Sequence, residues 1–207
     1  MSNLDIIDEL AGIVVGSRLD LIRYDRVEAR DNAQKSYLAL FDPDDQSQVS
    51  VRERFAIASF VVGLHGDDRV TKHYLDKFDQ EKPSKALASA IAHEVRQGKA
   101  SGPYGAYPQG PLTRENVTGP SYRVAEASRE VLGPKLVAGL EHAHLLVLHP
   151  RDASPAALQA LLDAGWSTTG IVTLSQIIAF LAFQIRVVAG LRVLDRKFAA
   201  DRLDAAE

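Results

Sequence analysis

The chain of 207 residues contains no cysteine, and its single methionine is Met1. The absence of cysteine excludes disulfide bonds, thiolate metal sites and cysteine nucleophiles. With neither a thiol nor an internal methionine, no residue can cycle electrons from a dithiol donor. We therefore expect the purified protein, without added metal or cofactor, to show no dithiol-dependent reduction of hydroperoxides.

The sequence also lacks an excess of basic residues, with 24 Lys and Arg against 27 Asp and Glu, a net charge of −3. Proteins that bind nucleic acid normally carry a basic face, so we expect no nucleic-acid partner. The first ten residues, MSNLDIIDEL, lack the basic start and apolar core of a signal peptide. The most apolar stretch, 171–194, is interrupted by Gln176, Gln184, Arg186 and Arg192, which favours a buried core helix over a membrane span. These features predict a soluble, cytoplasmic protein with no membrane partner.

The spacing of apolar residues and the positions of capping residues predict an all-α fold of roughly eight helices. In the first half, a helix is expected to begin at a cap at Ser2 or Asn3, and a second helix covers about 26–41. A third helix begins at a Ser50–Glu53 capping box and ends at about Leu64. A fourth runs from Asp67 or Asp68 to about Phe78, and a fifth lies between Pro83 and Gly98. In the second half, Gly133-Pro134 separates two helices, His149-Pro150 ends the second, Ser154-Pro155 begins a short helix that Gly165 closes, and a long helix runs from Ser167 or Thr168 to about Leu194.

A long loop is predicted at 98–120, where five glycines and four prolines leave no room for a regular element. It joins two helical halves, about 1–97 and 121–207, of a single domain spanning 1–207. Loops of this length without secondary structure are uncommon and are usually functional or disordered. In this mobile loop, Tyr104 and Tyr107 could cover a pocket or reach a neighbouring subunit. Alternatively, the loop only connects the two helical halves across the surface.

The segment GLHGDDRVTKHY, residues 63–74, follows a nearly unbroken apolar run and concentrates glycines, aspartates and two histidines. Gly63 and Gly66 predict that the apolar helix ends here. An aspartate should then cap the next helix and leave its free backbone N–H groups facing a polar pocket. The segment is therefore expected to be both a joint between helices and part of the site.

Two stretches resemble one protein family. SVRERFAIASFVVGLHGDDRVTKHY is similar to the core signature of the alkylhydroperoxidase D and carboxymuconolactone decarboxylase superfamily, in which an R-E pair opens a helix and a CxxCxxxH segment starts the next. The C-terminal run resembles the peroxidase-related branch, with an F-[NQ]-x-R-x-x-x-G-L pattern at Phe183, Gln184, Arg186, Gly190 and Leu191. The resemblance implies a single alkylhydroperoxidase D-like helical bundle.

The chain departs from the family pattern at both cysteine positions. Counted back from His73 they fall at Gly66 and Arg69, and counted forward from Glu53 they fall at His65 and Asp68. The two registers differ by one residue, and neither contains a thiol. Thiol peroxidase activity is therefore not carried over. The resemblance extends to γ-carboxymuconolactone decarboxylases, which look cysteine-poor at this place and retain the histidine.

The resemblance and the residue chemistry together predict a site for acid–base chemistry on a small organic acid or lactone. The predicted catalytic residues are Glu53, His65 and His73, which can act as acid and base near neutral pH. The predicted substrate-binding residues are Asp68, Arg69 and Arg186; a guanidinium suits a carboxylate. No metal site and no cofactor are predicted.

Each of these residues also has a purely structural explanation. Glu53 completes a capping box with Ser50, and His73 fits a hydrogen-bonded core position. His65 and Asp68 could share a metal only if the helix were continuous. Arg186, within an apolar helix, would need a carboxylate partner. The remaining histidines, His93, His142, His144 and His149, receive no catalytic role, because they sit at helix ends or at a spacing unsuited to one metal.

Three functions follow from these observations. The first is a cysteine-free enzyme of the superfamily acting on a small molecule. The second is a non-catalytic structural partner of a cysteine-containing paralogue, and the third is a small-ligand-binding protein. Helices that are apolar nearly all round, together with the resemblance, also predict a homo-oligomer, either a dimer, a trimer or a hexamer.

Overall fold

The computed structural model describes the backbone of residues 5–204 and the side chains of residues 5–201. Within this range the protein is all-α, with nine α-helices, two short 3-10 turns and no strand beyond one isolated bridge between Gly105 and Val117. The helices are α1 (Ile6–Ala11), α2 (Arg18–Tyr24), α3 (Val27–Phe41), α4 (Val51–His65), α5 (Asp68–Gln80), α6 (Lys85–Gly98), α7 (Glu126–Leu148), α8 (Pro155–Asp163) and α9 (Thr168–Asp204). The predicted all-α class is confirmed for these residues.

Helix α4 is the central element of the bundle. Every residue from Arg54 to Leu64 is buried, as expected of a helix that is apolar on all sides. It packs against α5 and α6 from the first half of the chain and against α7 and α9 from the second half. Helix α9, 37 residues long, runs along the bundle and also contacts α1, α2 and α3.

The N-terminal helices α1 and α2 are joined through buried charges. Arg23 of α2 donates to Asp5, which precedes α1, and to Asp8 of α1 at 2.8 Å each, and Arg30 of α3 adds a further bond to Asp8. Asp5 also caps α1 by accepting from the backbone N–H groups of Ile7 and Asp8. The predicted cap at Ser2 or Asn3 lies outside the described residues. Helix α2 was missed by the sequence analysis because charged side chains, rather than an apolar stripe, account for much of its buried face.

Most predicted boundaries are close to those observed. The break at Gly133-Pro134 is confirmed, since Gly133 has φ +70° and ψ 163° within the α7 span. Ser84 rather than Pro83 precedes the first turn of α6. Helix α9 continues ten residues beyond the predicted end at Leu194.

The 98–120 loop is tied to the end of α7 rather than standing apart. The backbone N–H of Tyr104 donates to the Leu148 carbonyl at 2.6 Å, and that of Ala106 donates to Asp152 at 3.0 Å. The prediction of no regular element was wrong at Pro111–Glu115, which form a 3-10 turn. Tyr104 lies against His149, and the Tyr107 ring lies under the Arg151 guanidinium.

Helices α7 and α9 each contain an 18-residue window that is long and apolar enough to cross a membrane by composition alone. Of these windows, 50% and 39% respectively are buried inside the bundle. Core helices of soluble bundles share this composition, so the windows are weak evidence for a membrane span.

Candidate functional site

The break between α4 and α5 and the aspartate cap that follows it lie where the sequence predicted them. Helix α4 ends at His65, and Gly66 follows with φ +74°, a left-handed conformation that glycine adopts without steric cost. Asp67 then caps α5 by accepting from the Val70 N–H at 2.9 Å. Arg192 of α9 holds the same carboxylate at 2.8 Å. Residues 51–78 are therefore two helices whose joint is anchored to α9.

Glu53 is occupied by local and tertiary bonds. Its carboxylate accepts from the Ser50 N–H at 2.8 Å and from the Ser50 hydroxyl at 2.9 Å, while Ser50 caps the Glu53 N–H. Lys135 of α7 contacts the other carboxylate oxygen at 2.9 Å. Burial acts to raise the pKa of Glu53, but the bonds from Lys135 and Ser50 outweigh it and lower the pKa. This arrangement is the predicted capping box with an added ion pair.

His73 lies in a different environment, beside α3. Its Nε2 is 3.2 Å from the Tyr37 hydroxyl, and its ring meets the Tyr74 ring edge-on with centroids 5.1 Å apart. Burial lowers the pKa of His73, so the neutral imidazole is favoured at neutral pH. His73 and Glu53 share no hydrogen bond in the described part of the chain.

His65 has an unsatisfied ring nitrogen. Its Nε2 is buried and has no hydrogen-bond partner among the described residues. Burial lowers the pKa of His65, and the positive charge of Arg186 lowers it further. Both residues line an open cavity of about 580 Å³ between the ends of α4 and α7, the start of the 98–120 loop and α9. We call this space the His65–Arg186 cavity.

The other predicted substrate-binding residues lie outside this cavity. Asp68 is exposed in the first turn of α5, and Arg69 donates to the Glu9 carbonyl of α1 at 2.7 Å. Arg186 is exposed and donates to the Ala182 carbonyl of its own helix at 2.7 Å. The carboxylate partner expected for a buried Arg186 is not found in the described range. Of the six predicted site residues, His65 and Arg186 are the two that line this cavity.

Two residues of the family-like patterns serve packing. Gln184 of α9 is fully buried and accepts from the Tyr74 hydroxyl of α5 at 2.7 Å. This bond joins residues 110 positions apart. A buried hydrogen-bonded pair of this kind fixes the register between two helices, so Gln184 has a structural role.

A second cavity, of about 590 Å³, was missed by the sequence analysis. It lies between α7, α8 and the segment 119–123, and three histidines line it: His142, His144 and His149. Their spacing argued against a shared metal, and no three His, Asp or Glu side chains of the described residues are placed to hold a metal ion. The sequence feature that could have revealed this cavity is the occurrence of three histidines within the eight residues 142–149.

Comparisons with protein-family models, with curated proteins and with solved structures found no match.

Proposed function

We propose that this chain is a cysteine-free member of the alkylhydroperoxidase D and carboxymuconolactone decarboxylase superfamily, with an alkylhydroperoxidase D-like bundle. It binds a small organic acid or lactone in the His65–Arg186 cavity and performs acid–base chemistry there. The order of the sequence motifs and the all-α bundle with a glycine joint ahead of a capped helix support this assignment. The observation that carries the function is the buried, unpaired Nε2 of His65 in the same cavity as a guanidinium.

The chemistry of the two residues is complementary. The Arg186 guanidinium supplies charge-assisted hydrogen bonds to a carboxylate or to a developing enolate. Because the pKa of His65 is lowered, its neutral ring is available at pH 7 to accept a proton. In loss of CO₂ from an acid, the C–C bonding pair stays on the substrate as an enolate. His65, which takes up a proton from solvent when the acid binds, supplies the proton that quenches this enolate, and the ring returns to its neutral form.

Proton uptake on ligand binding tests this function. A bound carboxylate near His65 favours the charged ring and raises its pKa, so binding should draw a proton from the buffer. We expect calorimetric titration with a panel of keto acids and lactone acids, in two buffers of different ionisation enthalpy, to show proton uptake. His65→Gln should abolish the uptake, and Arg186→Gln should weaken binding by about tenfold or more.

Matched controls for these variants lie outside the cavity. Arg196→Gln changes an exposed arginine of the same helix α9, and His93→Gln changes a histidine of α6. Both should bind as the unmodified protein does. Equal binding by Arg186→Gln and Arg196→Gln, or uptake that survives His65→Gln, would contradict the proposal. Turnover of the acids that bind is then measured by CO₂ release.

A second candidate is a non-catalytic partner of a cysteine-containing paralogue. It is favoured by the bonding of Glu53 to Ser50 and Lys135, which leaves this carboxylate no free position for chemistry. The same titration separates the enzyme from this structural partner and from the third predicted function, a small-ligand-binding protein. A structural partner shows no proton-coupled binding of any acid in the panel, whereas a small-ligand-binding protein binds an acid without turning it over.

A further inference from the structure

The second cavity has a rigid wall of stacked rings. Tyr122 stacks on His144 with centroids 4.6 Å apart and planes 22° apart, and His144 is followed by His149 at 6.1 Å and 30°. All three residues line the cavity. We call this set the ring wall.

Hydrogen bonds fix each ring of this wall. The Tyr122 hydroxyl donates to Glu94 at 2.7 Å, and Glu94 is fully buried. His144 Nε2 lies 3.0 Å from the Gly98 carbonyl. His149 lies between the Pro120 carbonyl at 3.0 Å and Asp152 at 3.1 Å. The rings are therefore held in place before any ligand arrives, which reduces the ordering needed on binding.

Helix α8 borders the same cavity with small side chains. Ala156, Ala157 and Ala160 line it, together with Ala138 of α7. Leu145 and Leu161 complete the apolar part of the lining. Because alanine leaves space where a longer side chain would fill it, the cavity has room for a ring beside the ring wall.

His142 provides the polar group of this cavity. It is 6% exposed, lines the cavity, and its Nδ1 is buried without a partner among the described residues. Burial lowers the pKa of His142, so the ring is neutral at pH 7 and carries one N–H and one bare nitrogen. Buried polar atoms are normally paired, so the unpaired nitrogen indicates that a ligand group belongs there.

The charged residues at the cavity are compensated. Glu141 is bonded to Arg123 at 2.6 Å and to Arg129 at 3.2 Å, and it also accepts from the Val124 N–H. Asp152 is bonded to His149 and to the Ala106 N–H. Among the described residues that line the cavity, each charged side chain is therefore already bonded, which favours a neutral ligand.

We propose that this cavity is a binding site for a neutral, planar aromatic molecule that carries a hydroxyl group. The aromatic ring packs along the ring wall beside the alanines of α8, and the hydroxyl hydrogen-bonds to His142 Nδ1. Packing against the aromatic side chains of the ring wall selects an aromatic molecule, and the unpaired Nδ1 of His142 selects one hydroxyl rather than a charged group. This site is separate from the His65–Arg186 cavity and does not depend on the function proposed for it.

Phenol is the probe that tests the site, with three analogues that each remove one feature. Cyclohexanol lacks the planar ring, toluene lacks the hydroxyl, and benzoate adds a charge. Ligand-detected NMR titration should show phenol binding more tightly than any of the three. Equal binding of phenol and cyclohexanol would overturn the proposal, since the ring wall would then not favour an aromatic ligand.

Two variants locate the binding. Ala157→Leu fills part of the cavity and should weaken phenol binding by about tenfold. His142→Leu should weaken phenol binding but leave toluene binding unchanged, because only phenol uses the Nδ1 atom. Ala160→Leu, at an exposed position of α8, repeats the filling test if Ala157→Leu does not fold.

The matched control fills the other cavity. Ala182→Leu narrows the His65–Arg186 cavity and should leave phenol binding unchanged. Loss of phenol binding in Ala182→Leu but not in Ala157→Leu would place the ligand in the wrong cavity and overturn the proposal. No measurable binding of phenol by the folded, unmodified protein would do the same.

Discussion

At the scale of single residues, Glu53 links the start of α4 to α7. Its carboxylate receives two bonds from Ser50 and one from Lys135, and its side chain is 23% exposed. The lowered pKa means that the ionised carboxylate stabilises the folded state. This contribution is present above the ordinary pKa of 4.5 and is lost as the pH falls through the lower folded value.

We expect Glu53→Gln to lower the free energy of unfolding by about 1–2 kcal/mol, from the weakened cap and the lost ion pair. Urea unfolding at pH 7 measures the change. Glu126→Gln is the matched control, because Glu126 also lies in a first helical turn but its side chain is 94% exposed. A Glu53→Gln loss no larger than that of Glu126→Gln would show that the cap contributes little.

The residue scale also shows how far the site could be predicted. The Ser50–Glu53 pattern, the glycine at position 66 and the aspartate cap are local, so the sequence contains all the information needed for them. Which side chains share a cavity depends on the packing of distant helices. His65 and Arg186 meet because α4 and α9 pack together, whereas His73 faces Tyr37 of α3.

At the scale of elements, α4 and α6 approach closely at a glycine. A Cβ added to Gly63 would lie 2.6 Å from Val95 Cγ1 and 2.8 Å from its Cγ2, closer than real carbon atoms approach. Gly63 is buried in the last turn of α4, three residues before the joint at Gly66. Position 63 therefore needs a glycine so that α4 and α6 can pack closely, and not to form a turn.

We expect Gly63→Ala to destabilise the protein by about 1–3 kcal/mol, because the added methyl group forces α6 away from α4. Gly190→Ala is the matched control, since Gly190 of α9 has open space around it. There alanine should stabilise by about 0.5–1 kcal/mol through its better helix propensity. Thermal and urea unfolding of the two variants measures the difference, and a stabilised Gly63→Ala would contradict the packing argument.

The elements that sequence analysis identified and missed differ in what drives them. Long apolar runs predicted α4 and α9, because burial of such helices needs no partner-specific information. The last ten residues of α9 were missed because charged residues dominate them. Helix α2 was missed for a similar reason, since Asp20 and Arg23 are buried only in the context of α1 and α3.

At the scale of the whole molecule, four histidines have pKa values lowered by burial: His65, His73, His142 and His144. Their ordinary value is 6.5, which the unfolded chain regains. Below this pH the unfolded state takes up protons that the folded state does not bind, so acid favours unfolding.

We therefore expect the free energy of unfolding to be nearly independent of these groups above pH 7. It should decline as the pH falls below about 6.5, until the histidines of the folded protein are themselves protonated. The urea midpoint measured between about pH 5 and pH 8 checks this. His142→Asn should reduce the slope of the decline by removing one of the four groups. A midpoint that stays constant or rises on acidification would contradict the burial of these rings.

Self-association is the remaining prediction at this scale, and the exposed side of α9 supports it. Val172 and Phe183 are 55% and 47% exposed, and their separation of 11 residues places them on the same side of the helix. Leu158 of neighbouring α8 is 45% exposed. Large apolar side chains left exposed along one side of a helix are consistent with an interaction surface.

We expect the protein to elute from a sizing column well above its monomer mass of 22.6 kDa. If α9 forms the contact, Phe183→Glu places a charge in it and should shift the protein to the monomer position. Val15→Glu is the control, because Val15 is 87% exposed and lies between α1 and α2 rather than on α9. A monomer peak for the unmodified protein at micromolar concentration would contradict the prediction, because no second copy would then bury this apolar surface.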